Sequence, residues 1–131
     1  MDEVDLGIPK GIVDNLPEDG GNAAKDMERA LEDYRNRVNQ AIREADSDAE
    51  AASTVLNVIE HLESRARTYD DFVPELRAWG QSPAYAIAWR DLHANLVEQL
   101  HAHEDLADRL DRERNYRLVD DGIRLRDMKE D

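Results

Sequence analysis

Two stretches of sequence repeat apolar residues at alternating intervals of three and four, and this repeat constrains the fold more than any other feature. The first stretch runs from Asn22 to Ala45, with its stripe at Ala24, Met27, Leu31, Tyr34, Val38, Ala41 and Ala45. The second stretch follows Ser47, with its stripe at Ala52, Val55, Ile59, Leu62, Ala66 and Tyr69. This spacing places apolar side chains on one face of an α-helix and therefore predicts two amphipathic helices.

The boundary between these helices has a recognisable start signal. Ser47-Asp-Ala-Glu50 fits a capping box, in which the serine accepts from a free backbone N–H and the glutamate reaches back. The connection around Asp46 is short, and short connections join antiparallel neighbours. The two helices are therefore predicted to form a hairpin.

A turn, a short helix and a long helix are predicted after the hairpin. Asp71 suits the start of a short linking helix, and Gly80 suits a left-handed exit from it. Ser82-Pro83 then begins a third helix, with serine as N-cap and proline at the first position. The third helix is expected to end near Arg114, after roughly 30 residues or about 45 Å.

The segments outside these helices are predicted to be irregular arms. Residues 1–21 contain six scattered aliphatic residues but too many glycines and prolines for a helical period. An arm of this kind becomes ordered by lying on its own domain or on a neighbouring subunit. Residues 115–131 alternate apolar and polar residues around Asp121-Gly122, which fits a small β-hairpin, or a helix end with Gly122 as C-cap and a trailing arm. We favour the arm, because an isolated two-stranded hairpin is marginal in water.

The sequence therefore predicts an all-α fold with three parts: an N-terminal arm (1–21), a helical domain (22–114) and a C-terminal arm (115–131). The helical domain comprises the antiparallel hairpin, the short linking helix and the long third helix. We expect the arms to bind partners, through aliphatic residues at one end and arginines at the other, since guanidinium groups suit bidentate pairing with carboxylates. The expected partner-binding residues are Leu6, Ile8, Ile12, Leu16, Arg112, Arg117, Arg124 and Arg126.

The charge composition indicates the kind of solvent to which the protein is adapted. The chain has a formal net charge of −14, and only three of its 17 basic residues are lysines. This composition resembles that of proteins from extreme halophiles, because molar salt shortens the Debye length to roughly 3 Å and suppresses self-repulsion. An ordinary acidic protein is the alternative. The acidic residues that follow Met1 do not fit a signal peptide, and no apolar run approaches the ~20 residues of a membrane span.

The sequence contains no complete motif of a catalytic or ligand-binding site, so no catalytic, cofactor-binding or metal-binding residue is predicted. The chain contains no cysteine and no glycine-rich phosphate loop. Glu98 and His101 have the Glu-x-x-His spacing of di-iron bundles, but such a site needs a second copy of the motif, and none occurs. An enzyme is therefore not expected.

Two segments resemble parts of DNA-binding regulators. Residues 53–62 resemble a recognition helix of the helix-turn-helix class, and residues 116–122 resemble the strand-and-turn ending of winged-helix proteins. The first segment lies in a helix with no basic residue before Arg65, although recognition helices need donors for phosphates and base edges. Nucleic acid is therefore not the expected partner, and neither is a membrane.

A small helical protein with extended ends is similar to the head–tail adaptor proteins of tailed viruses, which form rings below the portal. The resemblance is architectural and extends over the whole chain. It implies a structural component of a virion, from a halophilic virus, that forms a homo-oligomer and contacts a different protein through its arms. The alternative is a small cytoplasmic regulator or adaptor of a halophilic archaeon, with winged-helix ancestry.

Overall fold

The computed structural model describes residues 3–14, 16 and 22–129, with side chains described through Val119. Every regular element in this part of the chain is an α-helix, which confirms the all-α prediction. The described residues form five helices: α1 (Lys10–Asp14), α2 (Ala23–Glu44), α3 (Asp48–Ala78), α4 (Ala84–Ala102) and α5 (Glu104–Lys129). None of these helices is long and apolar enough to cross a membrane.

The predicted hairpin is formed by α2 and α3. Ser47 accepts a hydrogen bond at Oγ from the backbone N–H of Glu50, at 3.1 Å. Glu50 in turn accepts from the backbone N–H of Asp46, also at 3.1 Å. These bonds satisfy two backbone donors at the start of α3 and confirm the capping box. The three residues 45–47 that separate the helices leave room only for a reversal of chain direction.

The predicted turn before a short linking helix is wrong, because α3 continues through Pro74 to Ala78. Proline lacks the N–H that would bond to the preceding turn and usually ends or bends a helix. Contacts with α4 hold the turn of α3 that precedes this position. Tyr69 stacks on Trp89 with ring centroids 6.2 Å apart, and Arg90 donates to Asp70 at 3.0 Å. Tertiary packing thus outweighs the local cost of the proline.

The end of α3 agrees with the prediction for Gly80. Its φ is +72°, a left-handed conformation that glycine adopts without steric cost. The backbone N–H of Gly80 donates to the carbonyl of Arg77, and that of Gln81 donates to the carbonyl of Leu76. These two bonds define a Schellman motif, which satisfies free carbonyls at the helix end.

The long third helix is divided into two helices at His103. This residue has extended backbone (φ −69°, ψ 118°) and ends α4, and α5 begins at Glu104. The break rotates α5 so that Leu106 and Leu110 are fully buried. The backbone of α5 then remains helical to Lys129, so the irregular C-terminal arm predicted from residue 115 is wrong, and so is the alternative hairpin.

The core lies between α2, α3, α4 and the first half of α5. The largest aliphatic residues of the two predicted stripes are buried, namely Leu31, Val38, Val55, Ile59 and Leu62, and so are Leu92 and Leu96 of α4. The N-terminal segment also enters the core, since Val4 and Leu6 belong to the same buried cluster. This segment therefore completes the bundle of the chain to which it belongs.

Candidate interaction surfaces

The N-terminal segment lies on α2 and α4 in an extended conformation. We call residues 3–8 the N-terminal strap. At one end of the strap, the amide of Asn39 pairs with the backbone of Val4. The N–H of Val4 donates to Asn39 Oδ1 at 2.7 Å, and Asn39 Nδ2 donates to the carbonyl of Val4 at 3.0 Å. A single side-chain amide thus takes the place of a neighbouring strand.

A second amide holds the other end of the strap from the opposite helix. The N–H of Gly7 donates to Gln99 Oε1 at 2.9 Å, and Gln99 Nε2 donates to the carbonyl of Gly7 at 2.6 Å. Between these two clamps, Arg35 donates to the carbonyl of Leu6 at 2.7 Å. Three side chains from α2 and α4 therefore bind only main-chain atoms of the strap.

The four aliphatic residues predicted to bind partners pack on their own chain. Leu6 is 1% exposed, because it packs inside the bundle of its own chain in the structure. Ile8, Ile12 and Leu16 are half-buried against the same core. The physical reason is that α2 and α4 leave an apolar groove between them, which the strap fills.

The arginines of α5 pair with acids on α3. Arg109 contacts Asp48 at 2.8 Å, and Arg114 contacts Glu63 at 3.0 Å. Arg117, a predicted partner-binding residue, contacts Glu60 at 3.0 Å. Arg117 also donates through Nη2 to the carbonyl and the hydroxyl of Ser53, at 3.0 and 3.1 Å. Arg117 therefore fixes α5 to the first half of α3.

The remaining predicted arginines differ in position. Arg112 is exposed and lines a shallow cleft of about 240 Å³ with Ala49 and Tyr116. Arg124 and Arg126 lie outside the described side chains, although the backbone there belongs to α5. The same helical backbone occupies residues 116–122, where a winged-helix ending would need a strand and a turn.

Among the described residues, large apolar side chains are exposed in α5 and towards the end of α3, and also at Val13 and Tyr85. The α5 patch consists of Tyr116, Leu118 and Val119, which are 71%, 68% and 62% exposed. The α3 patch consists of Phe72 and Trp79, which are 44% and 67% exposed. Arg117 contacts Ser53 and Glu60 and so places the α5 patch beside the first half of α3. The two residues of the α3 patch follow Glu60 by 12 and 19 positions. That separation is about 20–30 Å along the helix axis.

A cluster of rings lies between α2, α3 and α4. His93 is buried, with its ring centroid 5.8 Å from Tyr34 and 5.5 Å from Tyr69. Burial lowers the pKa of His93, against the hydrogen bond to the Trp89 carbonyl, which raises it. Burial likewise raises the pKa of Tyr34. Both rings are thus neutral near pH 7 and serve as packing groups.

A groove of about 390 Å³ between α3, α4 and α5 contains the Glu98 and His101 pair singled out in the sequence. Arg114 donates through Nη2 to His101 Nε2 at 3.0 Å as well as to Glu63. Burial, and then the nearby Arg114, lower the pKa of His101. The imidazole lone pair is thus already occupied. No group of three or more His, Asp or Glu side chains among the described residues is arranged to hold a metal ion.

The strap is held by three residues that were not predicted from the sequence: Arg35, Asn39 and Gln99. Asn39 is a buried polar residue next to Val38, which belongs to the apolar stripe of α2. This position beside the stripe was the one feature of the sequence that could have indicated a buried polar contact. Gln99 and Arg35 have no distinguishing pattern in the sequence, since their partners are backbone atoms of residues 29 and 92 positions away.

Comparison with known proteins assigns the chain to a family. The profile of the family of unknown function DUF7971 matches residues 1–127, and the chain belongs to this family. The matched range includes the strap, helices α1 to α4, all of α5 except its last two residues, and both apolar patches. No curated protein and no solved structure shows a significant match.

Proposed function

We propose that this protein is a non-enzymatic assembly protein that joins copies of itself through its α5 and α3 patches. The main supporting observation is that two different apolar patches are exposed at separate places, one on α5 and one towards the end of α3. Clustered exposed apolar side chains mark protein contacts, whereas single ones are common on any surface. Tyrosine and tryptophan are also enriched at the centres of interfaces.

Two unlike patches favour one kind of assembly. A two-fold dimer uses the same patch on both subunits, whereas head-to-tail contacts join one patch to a different patch. Head-to-tail contacts close into rings when the rotation between subunits allows it. We therefore propose a ring-forming connector, comparable to the head–tail adaptors of tailed viruses, in which a different protein contacts the ring. The predicted virion location follows from this proposal.

The charge composition supports a further part of the proposal, that the assembly works in molar salt. Subunits with a net charge of −14 repel one another in dilute solution. At molar salt the repulsion is screened beyond roughly 3 Å, while burial of apolar surface is not weakened. Apolar patches are thus the appropriate contacts for strongly acidic subunits in that solvent.

The absence of an enzymatic role is also proposed from the described residues. The groove between α3, α4 and α5 places the guanidinium of Arg114, which is paired with Glu63, beside an imidazole whose lone pair is occupied. The buried His93 packs against the rings of Tyr34, Tyr69 and Trp89. Neither arrangement offers a base and a nucleophile in reach of a substrate.

The oligomeric state in molar potassium chloride tests the proposal. Multi-angle light scattering should give a mass of several chains for the wild type, and a monomer for Leu118→Asp and for Trp79→Asp. Mixing these two variants should give a heterodimer, because each retains the patch that the other lacks. Thr54→Asp, an exposed polar position on α3, is the control and should assemble normally.

Three results would overturn the proposal or a part of it. A monomeric wild type at all concentrations would remove the assembly function. A wild-type mass retained by both patch variants would show that the patches are not the contacts. A mixture that stays monomeric would exclude the head-to-tail arrangement and, with it, the ring.

A further inference from the structure

The groove between α2 and α4 binds the strap in the way that a receptor binds an extended peptide. Its polar contacts reach the backbone of the strap through Asn39, Gln99 and Arg35. Its apolar contacts enclose two alternate side chains, Val4 and Leu6, which are 5% and 1% exposed. Main-chain hydrogen bonds combined with pockets for alternate side chains are the features by which proteins recognise extended peptides.

The charges of the groove and the strap are complementary. The strap has carboxylates at Glu3 and Asp5, and both residues are exposed. The adjacent face of α2 presents Arg35 and Arg43, and Arg43 contacts Glu3 at 2.7 Å. In a chain with 31 acidic and 17 basic residues, such a basic face is suited to an acidic segment of the same sequence.

None of these contacts depends on the chain connection. The strap and α1 are joined to α2 only through residues 15–22, whereas the groove residues lie 29 to 92 positions away from the strap. A strap from a second copy would form the same hydrogen bonds and fill the same pockets. The contacts inside one chain prevail in dilute solution, since a short connection gives an effective concentration of about 1 mM.

We propose that the groove between α2 and α4 is a peptide-binding site and that neighbouring copies exchange their N-terminal straps through it in the assembled protein. The choice of a second copy as the occupant rests on the proposed assembly function. Inside an assembly, neighbouring grooves are held at local concentrations comparable to that of the chain's own strap. Exchange then links subunits by a segment that reaches from one bundle into the next.

The first test measures binding of a strap peptide to a chain whose own strap is displaced. The full chain with Leu6→Asp should leave the groove open, because a carboxylate does not fit the buried pocket. A fluorescent peptide of residues 1–9 should bind this variant, and the same peptide with Leu6→Asp should bind at least tenfold more weakly. Where circular dichroism shows that Leu6→Asp does not fold, Leu6→Ser replaces it.

The second test measures exchange between full chains, each with Leu118→Asp so that the α5 patch does not contribute. One chain also has Leu6→Asp, which inactivates its strap, and the other has Asn39→Leu and Gln99→Leu, which inactivate its groove. Mixing them should give a heterodimer in native mass spectrometry. The matched control combines the first chain with one in which strap and groove are both inactivated, and it should stay monomeric.

Each outcome has a clear meaning. Absence of peptide binding to the folded variant overturns the peptide-binding site. Peptide binding without a heterodimer overturns exchange. Because Leu118→Asp is present throughout, a heterodimer would support exchange even where the patch-mediated ring fails, and its absence would leave the patch experiment unaffected.

Discussion

His93 lies with Nδ1 2.7 Å from the carbonyl oxygen of Trp89, one turn earlier on α4. A carbonyl only accepts, so Nδ1 holds the proton and donates. Nε2 of the neutral ring then faces the hydroxyl of Tyr34 at 3.5 Å. A second proton on this ring would place a buried positive charge near Arg65, which itself lowers the pKa of His93.

This geometry predicts that acid destabilises the fold. The folded-state pKa of His93 lies below the unfolded value of about 6.5, so the unfolded chain binds more protons between the two values. The free energy of unfolding should therefore fall as the pH drops through 6.5 and continue to fall down to the folded pKa. Denaturant titrations in high salt from pH 8 to 5 measure this slope.

His93→Asn keeps a donor near the Trp89 carbonyl but removes the titrating group. The slope of stability against pH should therefore be smaller in this variant. A residual slope is expected from His101, whose pKa is also lowered. An unchanged slope in His93→Asn would contradict the assignment of the pH dependence to this ring.

The second prediction concerns the core. Leu62 is fully buried between the helices. Leu62→Ala should lower the free energy of unfolding by about 2–5 kcal/mol, because the lost contacts and the residual cavity both cost stability. Leu118→Ala removes the same atoms from an exposed position and should change stability by less than about 0.5 kcal/mol. Equal losses would show that the two environments are misassigned.

The third prediction concerns the attachment of α5. Arg117→Met keeps most of the aliphatic stem but loses the bonds to Ser53 and Glu60. It should lower the free energy of unfolding by about 1–2 kcal/mol, since one bond is to a half-buried carbonyl and the ion pair is partly exposed. Hydrogen exchange in α5 should also accelerate. Arg112→Met, an exposed position on the same helix, should leave both measurements unchanged.

The fourth prediction concerns salt. Dilution from molar potassium chloride to ~0.1 M lengthens the Debye length to about 10 Å, so carboxylates on neighbouring turns repel one another. With a net charge of −14, the chain should lose helical signal at 222 nm on dilution. Constant circular dichroism across this range would argue against adaptation to high salt and for an ordinary acidic protein.

The sequence identified the hairpin and the core because those features are encoded locally. The capping box at Ser47, the left-handed turn at Gly80 and the buried stripe including Ile59 each depend on residues within one or two turns. The course of α3 through Pro74 depends instead on stacking and pairing with α4. Such contacts join positions that are distant in the sequence, so local propensity favoured the wrong boundary.

The break at His103 had a signal in the sequence. Leu100 and Leu106 are six positions apart, a spacing that places them on different faces of one continuous helix. Both side chains are fully buried in the same core cluster, and the break at His103 between them changes the helix direction. The strap clamps had little equivalent signal, because Gln99 pairs with main-chain atoms and not with a recognisable side chain.

The clamps of the strap also determine which of its residues are free to vary. Asn39, Gln99 and Arg35 bind backbone atoms, which every amino acid except proline supplies in full. Gly7 has no atom within 4 Å of the place where a Cβ would lie and no positive φ, so alanine would fit there without strain. Natural variation along the strap should thus concentrate at Asp5 and Gly7, while the identities of Val4 and Leu6 are maintained.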